Sequence, residues 1–273
     1  MVSKALRAGR AGAVAIVSAS TLALSAPLAA DDITREGFNF PDDGTMKIVV
    51  FRPDVSVGSQ KAGGIVEPNA EWTESARANI QKKLVEHGAL FNANLDFIDE
   101  LEGEDAELLT EYRGLFEAVS GSIFTHVTAG DALASKEKTV EYKSGRTTRT
   151  KKVQMLDWTL GPGTAQLKEA TGADYAMFVF TNDAYGDGGR KAAQAVGMLG
   201  CLIGVCLVVP SGIHVGYAGL VDLATGDVVW FNTDLSIGGD PRDKEGAEKR
   251  VRQLMEGFPL RDGLSADGDA ADD

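Results

Sequence analysis

DYAMFVFTND, residues 174–183, carries apolar side chains at odd and even positions alike from Tyr175 to Phe180. A strand tolerates that only when both of its faces are covered, so the stretch predicts a central strand in a sheet with helices on both sides. The strands after it are plainer. HVGYAGLVDL (214–223) and DVVWFNTDL (227–235) flank Ala224-Thr225-Gly226, a tight turn with glycine where a positive φ is needed. DKEGAEKRVRQLMEGFP (243–259) then places Ala247, Val251 and Leu254 on one face, which predicts a closing helix.

Toward the N-terminus the same signals recur. TAQLKEATG (164–172) is a short helix stopped at Gly172. DAELLTEYRGLFEAVSGSI (105–123) sets Leu108, Leu109, Tyr112, Leu115, Phe116 and Val119 on one helical face, and EWTESARANIQKKLVEHG (71–88) repeats Trp72, Ala76, Ile80 and Leu84 every four residues, with Gly88 as its expected stop. FNANLDFID (91–99) reads as a strand, and MKIVVFRPDVSVG (46–58) as a buried strand entering a loop at Pro53 and Gly58. The order β-α-β-α-α-β-β-β-α predicts an α/β (α+β) fold, a mixed sheet covered by helices, as a single domain over 31–259.

The ends carry other signals. Residues 1–30 begin with Lys4, Arg7 and Arg10, continue through an apolar stretch from Ala11 to Leu24 and finish in small residues, the layout of a secretory signal peptide cut after Ala30. The formal charge of −13 becomes −16 once those three basic residues are removed. So acidic an exported chain is not expected to bind nucleic acid, which selects clustered positive charge. LRDGLSADGDAADD (260–273) has the composition of a disordered acidic tail. Within 136–152 the balance reverses: Lys143, Arg146, Arg149, Lys151 and Lys152 join Lys136 and Lys138 around Ser144-Gly145. That predicts a β-hairpin or extended excursion, either a solvated protrusion or a basic ribbon for an acidic partner or lipid head groups.

The run from Asp157 to Asp234, with its TGADYAMFVF strand, glycine-rich insertion and HVGYAGLVDLATGDVVWFN hairpin, resembles a group of uncharacterised exported proteobacterial proteins. More distantly, the GADY strand followed by the VDLATGDVVW hairpin is similar to the envelope superfamily of CsgG, LpoB and the TolB N-terminal domain. The resemblance implies a small α/β domain of the cell envelope that binds or assembles with other proteins. This chain lacks the acylated cysteine of the lipoprotein members, and the pore-forming hairpins of CsgG find no residue-by-residue match in it.

One insertion remains, GDGGRKAAQAVGMLGCLIGVCLVVPSG (186–212). Its opening suggests a phosphate loop, yet neither the dinucleotide pattern nor the Walker pattern closes: Lys191 stands at the third glycine site and Arg190 follows Gly189. An anion site at Arg190 and Lys191 is one reading; tight-turn glycines and a structural arginine are the other. From Ala192 to Val209 only Gln194 is polar, a length at the lower limit for a bilayer span. A single crossing would separate two strands that should share a sheet. The run is therefore expected as a hairpin or bent loop that dips into a membrane, meets a neighbouring subunit or folds onto its own core, with Met198, Leu199, Leu202, Ile203, Leu207 and Val208 as contacts. Cys201 and Cys206 are too far apart to bond on a regular helix, but a turn brings them within reach, and an oxidising compartment favours the disulfide over two buried thiols.

Catalytic signatures are missing from the sequence. His87, His126 and His214 are read at a helix end, in a loop and at a strand start, with no ligand spacing for a metal, and Asp183 and Asp187 read as solvated turn residues. No cofactor is expected. The sequence points to a non-enzymatic periplasmic protein acting on envelope proteins, a second copy or a membrane surface. The competing reading is a small-anion or nucleotide binder, or an enzyme, built on Gly186–Lys191.

Overall fold

The computed structural model describes residues 31–41, 46–90, 94–129, 137–144, 147–201 and 212–259. The expected signal peptide and acidic tail lie outside the described residues, as do Arg146, Leu202, Ile203, Cys206, Leu207 and Val208. The elements are β1 (Asp31–Thr34), β2 (Lys47–Phe51), β3 (Asp54–Gln60), β4 (Val66–Pro68), α1 (Ala70–Leu90), β5 (Asn94–Ile98), α2 (Glu104–Ala129), β6 (Glu137–Ser144) and β7 (Thr147–Gln154). They continue with α3 (Ala165–Thr171), β8 (Tyr175–Gly186), α4 (Gly188–Cys201), β9 (Gly212–Asp222), β10 (Val228–Asp234) and α5 (Lys244–Leu254).

Eight strands form one mixed sheet in the order β1-β10-β9-β8-β2-β5, with β3 also beside β8 and β4 beyond β3. The fold is α/β, as the pattern of elements predicts. Strand β8 is central: β9 runs antiparallel along it, while its other edge holds β2 over Tyr175–Met177 and then β3 over Phe180–Gly186, both parallel. Alternation along β2 divides the core. Ile48 and Val50 pack with Ala76, Ile80 and Leu84 of α1 and with Val251 and Leu254 of α5. Val49 and Phe51 face Leu109, Phe116 and Ile123 of α2 and Leu167 of α3. Each such side chain removed from water contributes about 1.5–3 kcal/mol, so the two layers together outweigh any single polar contact.

Several boundaries depart from the sequence reading, each for a packing reason. MKIVVFRPDVSVG is two strands, not one strand and a loop. Pro53 has no N–H for a ladder, the Arg52 amide turns to the Ile98 carbonyl at 3.0 Å, and pairing resumes on β8 from Asp54. Gly88 does not stop α1, which runs on to Leu90; it lies where the Leu95 side chain of β5 would collide with any Cβ. His126 belongs to the last turn of α2, not to a loop. Strand β1, which sequence patterning missed, pairs with β10 at the sheet edge. Gly172 and Gly226 do adopt positive φ, 63° and 79°, where the helix stop and the hairpin turn require it. The basic stretch forms an antiparallel hairpin, Glu137↔Gln154 to Ser144↔Thr147, in a two-stranded sheet of its own, with Lys143 and Arg149 exposed.

Candidate functional site

The glycine-rich insertion leaves the end of β8, and its first half is the helix α4; the hairpin or bent loop expected over 192–209 continues into 202–209, which lie outside the described residues. Asp187 explains the start of α4. Its carboxylate accepts from the Arg190 amide at 2.8 Å and its carbonyl from the Lys191 amide at 2.9 Å, while the alanine-rich run that follows favours helix. Arg190 turns inward. It is buried, and its guanidinium donates to the Lys61 carbonyl at 3.4 Å, joining the turn between β3 and β4 to the start of α4. Lys191 is exposed.

Beyond Arg190 the described side chains of α4, through Val196, are exposed or half-buried. Of the α4 side chains described, Gly188 to Val196, only Arg190 is buried, and Val196 is 69% exposed. Ile65, 70% exposed in the turn that Arg190 holds, and Ile213, 43% exposed at the start of β9, stand at the same end of the sheet. The side chains of Met198, Leu199, Cys201, Lys151 and Lys152 lie outside the described residues.

Next to this apolar end sits a buried polar cluster. Thr181, Asp183 and Tyr185 alternate along β8 and face α5, so Asp183 is a strand residue without exposure, not a turn residue in solvent. Arg250, also fully buried, donates to Asp183 Oδ1 at 2.7 Å, to Asp183 Oδ2 at 2.8 Å and to Thr181 Oγ1 at 2.6 Å. It also donates to the Gly238 and Gly239 carbonyls at 3.0 and 2.6 Å. Such a planar fork spends all its donors at once, which lets a guanidinium survive burial. His214 Nδ1 lies 2.7 Å from Asp183 Oδ1. The carboxylate therefore orients the ring and leaves Nε2 beside Gly212. Among the described residues no serine, threonine or cysteine bonds to that imidazole. A signal for the cluster was available in the sequence: Arg250 falls on the inward stripe of Ala247, Val251 and Leu254, and a buried arginine needs an acid.

The loop after β10 closes over the cluster through Arg242. Its guanidinium stacks between Tyr185, 4.0 Å from the ring centroid, and Trp72, 4.4 Å away, and donates to Asp240 at 2.8 and 3.1 Å. Burial alone raises the Asp240 carboxyl, but the Arg242 hydrogen bonds outweigh it and hold the group below its ordinary value. Burial, then the charges of Asp183 and Asp240, pushes the Tyr185 phenol up. Arg242→Ala is expected to lower stability by about 1–2 kcal/mol, and Arg242→Lys by part of that, since lysine keeps the charge but not the fork. The depressed Asp240 contributes fully above its unfolded value, about pH 4, and its share is lost as pH falls through the folded one. Urea midpoints at neutral and acid pH test both statements: the gap between wild type and Arg242→Ala should narrow in acid, and equal midpoints at neutral pH would contradict them.

The other histidines stand apart. His87 is half-buried at the end of α1, where burial lowers its pKa against the opposing charge of Glu248. His126 is fully buried with its ring 5.5 Å from that of Trp158. Among the described residues no three His, Cys, Asp or Glu side chains are grouped to hold a metal, and no helix is long and apolar enough to cross a membrane.

No protein-family model matches the chain, and no curated protein matches it. Among solved structures it is similar to two PelC dodecamers from Paraburkholderia phytofirmans. One, a point variant, is 11% identical with a TM-score of 0.33, the match covering 83% of this chain and 96% of that one. The second is 10% identical with a TM-score of 0.35, covering 85% and 98%. A likeness of that size transfers neither activity nor assembly.

Proposed function

We propose that this chain is an exported, non-enzymatic α/β protein of the cell envelope that acts by contact, through the apolar run 192–209 that α4 begins. One observation carries the reading: beyond Arg190 none of the described α4 side chains, through Val196, is buried; Val196 is 69% exposed, and Ile65 and Ile213 are exposed at the end of the sheet from which α4 departs. Apolar surface left in water is costly unless a partner covers it. The signal-peptide layout of residues 1–30 and the resemblance to envelope domains support the compartment. A second copy, another envelope protein or the membrane surface is the partner class. Asp187 and Arg190 are committed to internal bonds at the start of α4, so the competing anion reading of that loop has less support.

Sedimentation of the purified chain and flotation with anionic vesicles test the proposal, together with co-purification from native envelope. Leu202→Ser combined with Ile203→Asp is expected to weaken association more than tenfold, since burying each residue contributes roughly 1.5–3 kcal/mol. Arg190→Ala should leave association unchanged if the fold holds by circular dichroism. A wild-type chain that stays monomeric, leaves vesicles unbound and retains no envelope protein would overturn the proposal.

A further inference from the structure

About 20 Å back along β8 from the start of α4, a cleft of about 390 Å³ opens where Pro53 interrupts the passage from β2 to β3. It lies beyond the carboxyl end of β2, the place where open α/β sheets characteristically receive ligands. Three arginines from three elements line it: Arg52 after β2, Arg77 of α1 and Arg113 of α2. Phe51, Phe116 and Phe178 form its buried floor, Phe116 and Phe178 stacked with centroids 4.5 Å apart. Phe180 and Tyr217, stacked 4.7 Å apart at 14°, form a partly exposed wall.

The charges in the cleft are unequally matched. Arg52 pairs with Glu100 at 3.1 Å, and Arg77 with Glu74 at 2.6 Å, although the Arg77 Nε is buried without an acceptor. Arg113 has only the Arg52 carbonyl, at 3.5 Å, and among the described residues no carboxylate within ion-pair distance. Burial, then the neighbouring Arg52 charge, lowers its pKa against the opposing charges of Asp54 and Glu100. Asp54 and Glu117 line the same cleft and Glu100 and Glu74 neutralise Arg52 and Arg77, so the cleft has no excess of positive charge and an acidic group would be held by direct hydrogen bonds from the Arg113 guanidinium. From Glu117, Phe180 and Tyr217 a second groove of about 320 Å³ continues along α2 past Ser120 and Phe124. Volumes of this size hold small molecules.

We infer that the Arg52–Arg77–Arg113 cleft binds a small organic anion, its acidic group at Arg113 and its aromatic or other flat apolar part against Phe180 and Tyr217. The cleft shares no lining residue with α4, and binding in it requires no partner association.

Calorimetric titration of the full chain at low ionic strength with phenyl phosphate, inorganic phosphate and benzyl alcohol tests it, because each half-probe carries one half of the recognition. Phenyl phosphate is expected to bind saturably at one site and more tightly than either half-probe. Arg113→Ala should weaken it about tenfold or more, and Arg113→Lys, which retains charge without the fork, by less. Tyr217→Leu should remove most of the advantage of phenyl phosphate over phosphate while leaving phosphate unchanged; Lys191→Ala should change neither. Thermal melts check that the variants fold, and Arg113→Lys keeps the test valid should Arg113→Ala fail to. Absence of saturable phenyl phosphate binding, or equal affinity in wild type and both Arg113 variants, overturns the site. Equal affinity for phosphate and phenyl phosphate overturns the aromatic half and reduces the cleft to a free-phosphate site.

Discussion

Asp183→Ala is expected to lower the stability of this fold by about 3–5 kcal/mol, the cost of leaving one charge of a buried pair without its partner. The substitution removes two of the Arg250 hydrogen bonds and the whole of its counter-charge, in a place where neither residue reaches water. Thr181 and the Gly238 and Gly239 carbonyls remain, but these are neutral acceptors. Since small domains are stable by only about 5–15 kcal/mol, the loss is a large fraction of the total. Urea denaturation followed by circular dichroism gives the value. Replacing both partners, Asp183→Leu with Arg250→Met, should recover much of the loss, because apolar packing of similar volume often equals a buried ion pair. If the single variant costs under about 1 kcal/mol, water reaches the pair and its burial is wrongly assigned.

The second large effect is expected at Gly226. Its φ of 79° is costly for any residue with a Cβ, and that Cβ would meet the Gly161 backbone, which has no side chain to swing aside. The turn cannot relax freely either. The Leu160 amide donates to the Gly226 carbonyl at 2.7 Å, and the Val228 amide to the Trp158 carbonyl at 3.0 Å, so movement breaks bonds on both sides. Gly226→Ala should cost about 3 kcal/mol or more, strain and overpacking combined, and lower Tm by roughly 6–12 °C. Gly64→Ala is the control: its φ is 88°, but nothing lies within 4 Å, so only the conformational part applies. Equal losses in the two variants would show that the Gly161 contact contributes nothing.

The sequence by itself determined what depends on neighbouring residues along the chain. Apolar residues on both faces of 174–183 marked the centre of the sheet, the four-residue repeat marked α1, and Gly172 and Gly226 marked positive φ, because period and dihedral preference are local properties. Tertiary structure alone decided which distant groups meet. Arg250 finds Asp183 across 67 positions and Arg113 reaches Arg52 across 61, and local pattern assigned neither pair. The same holds for Pro53, whose missing N–H was legible, while the cleft it opens exists only because β3 resumes on β8 and α2 lies over the break. Hydrophobic alternation says which face a residue occupies, but the neighbour across that face is chosen by the packing of whole elements, and there the charges of this protein acquire their partners.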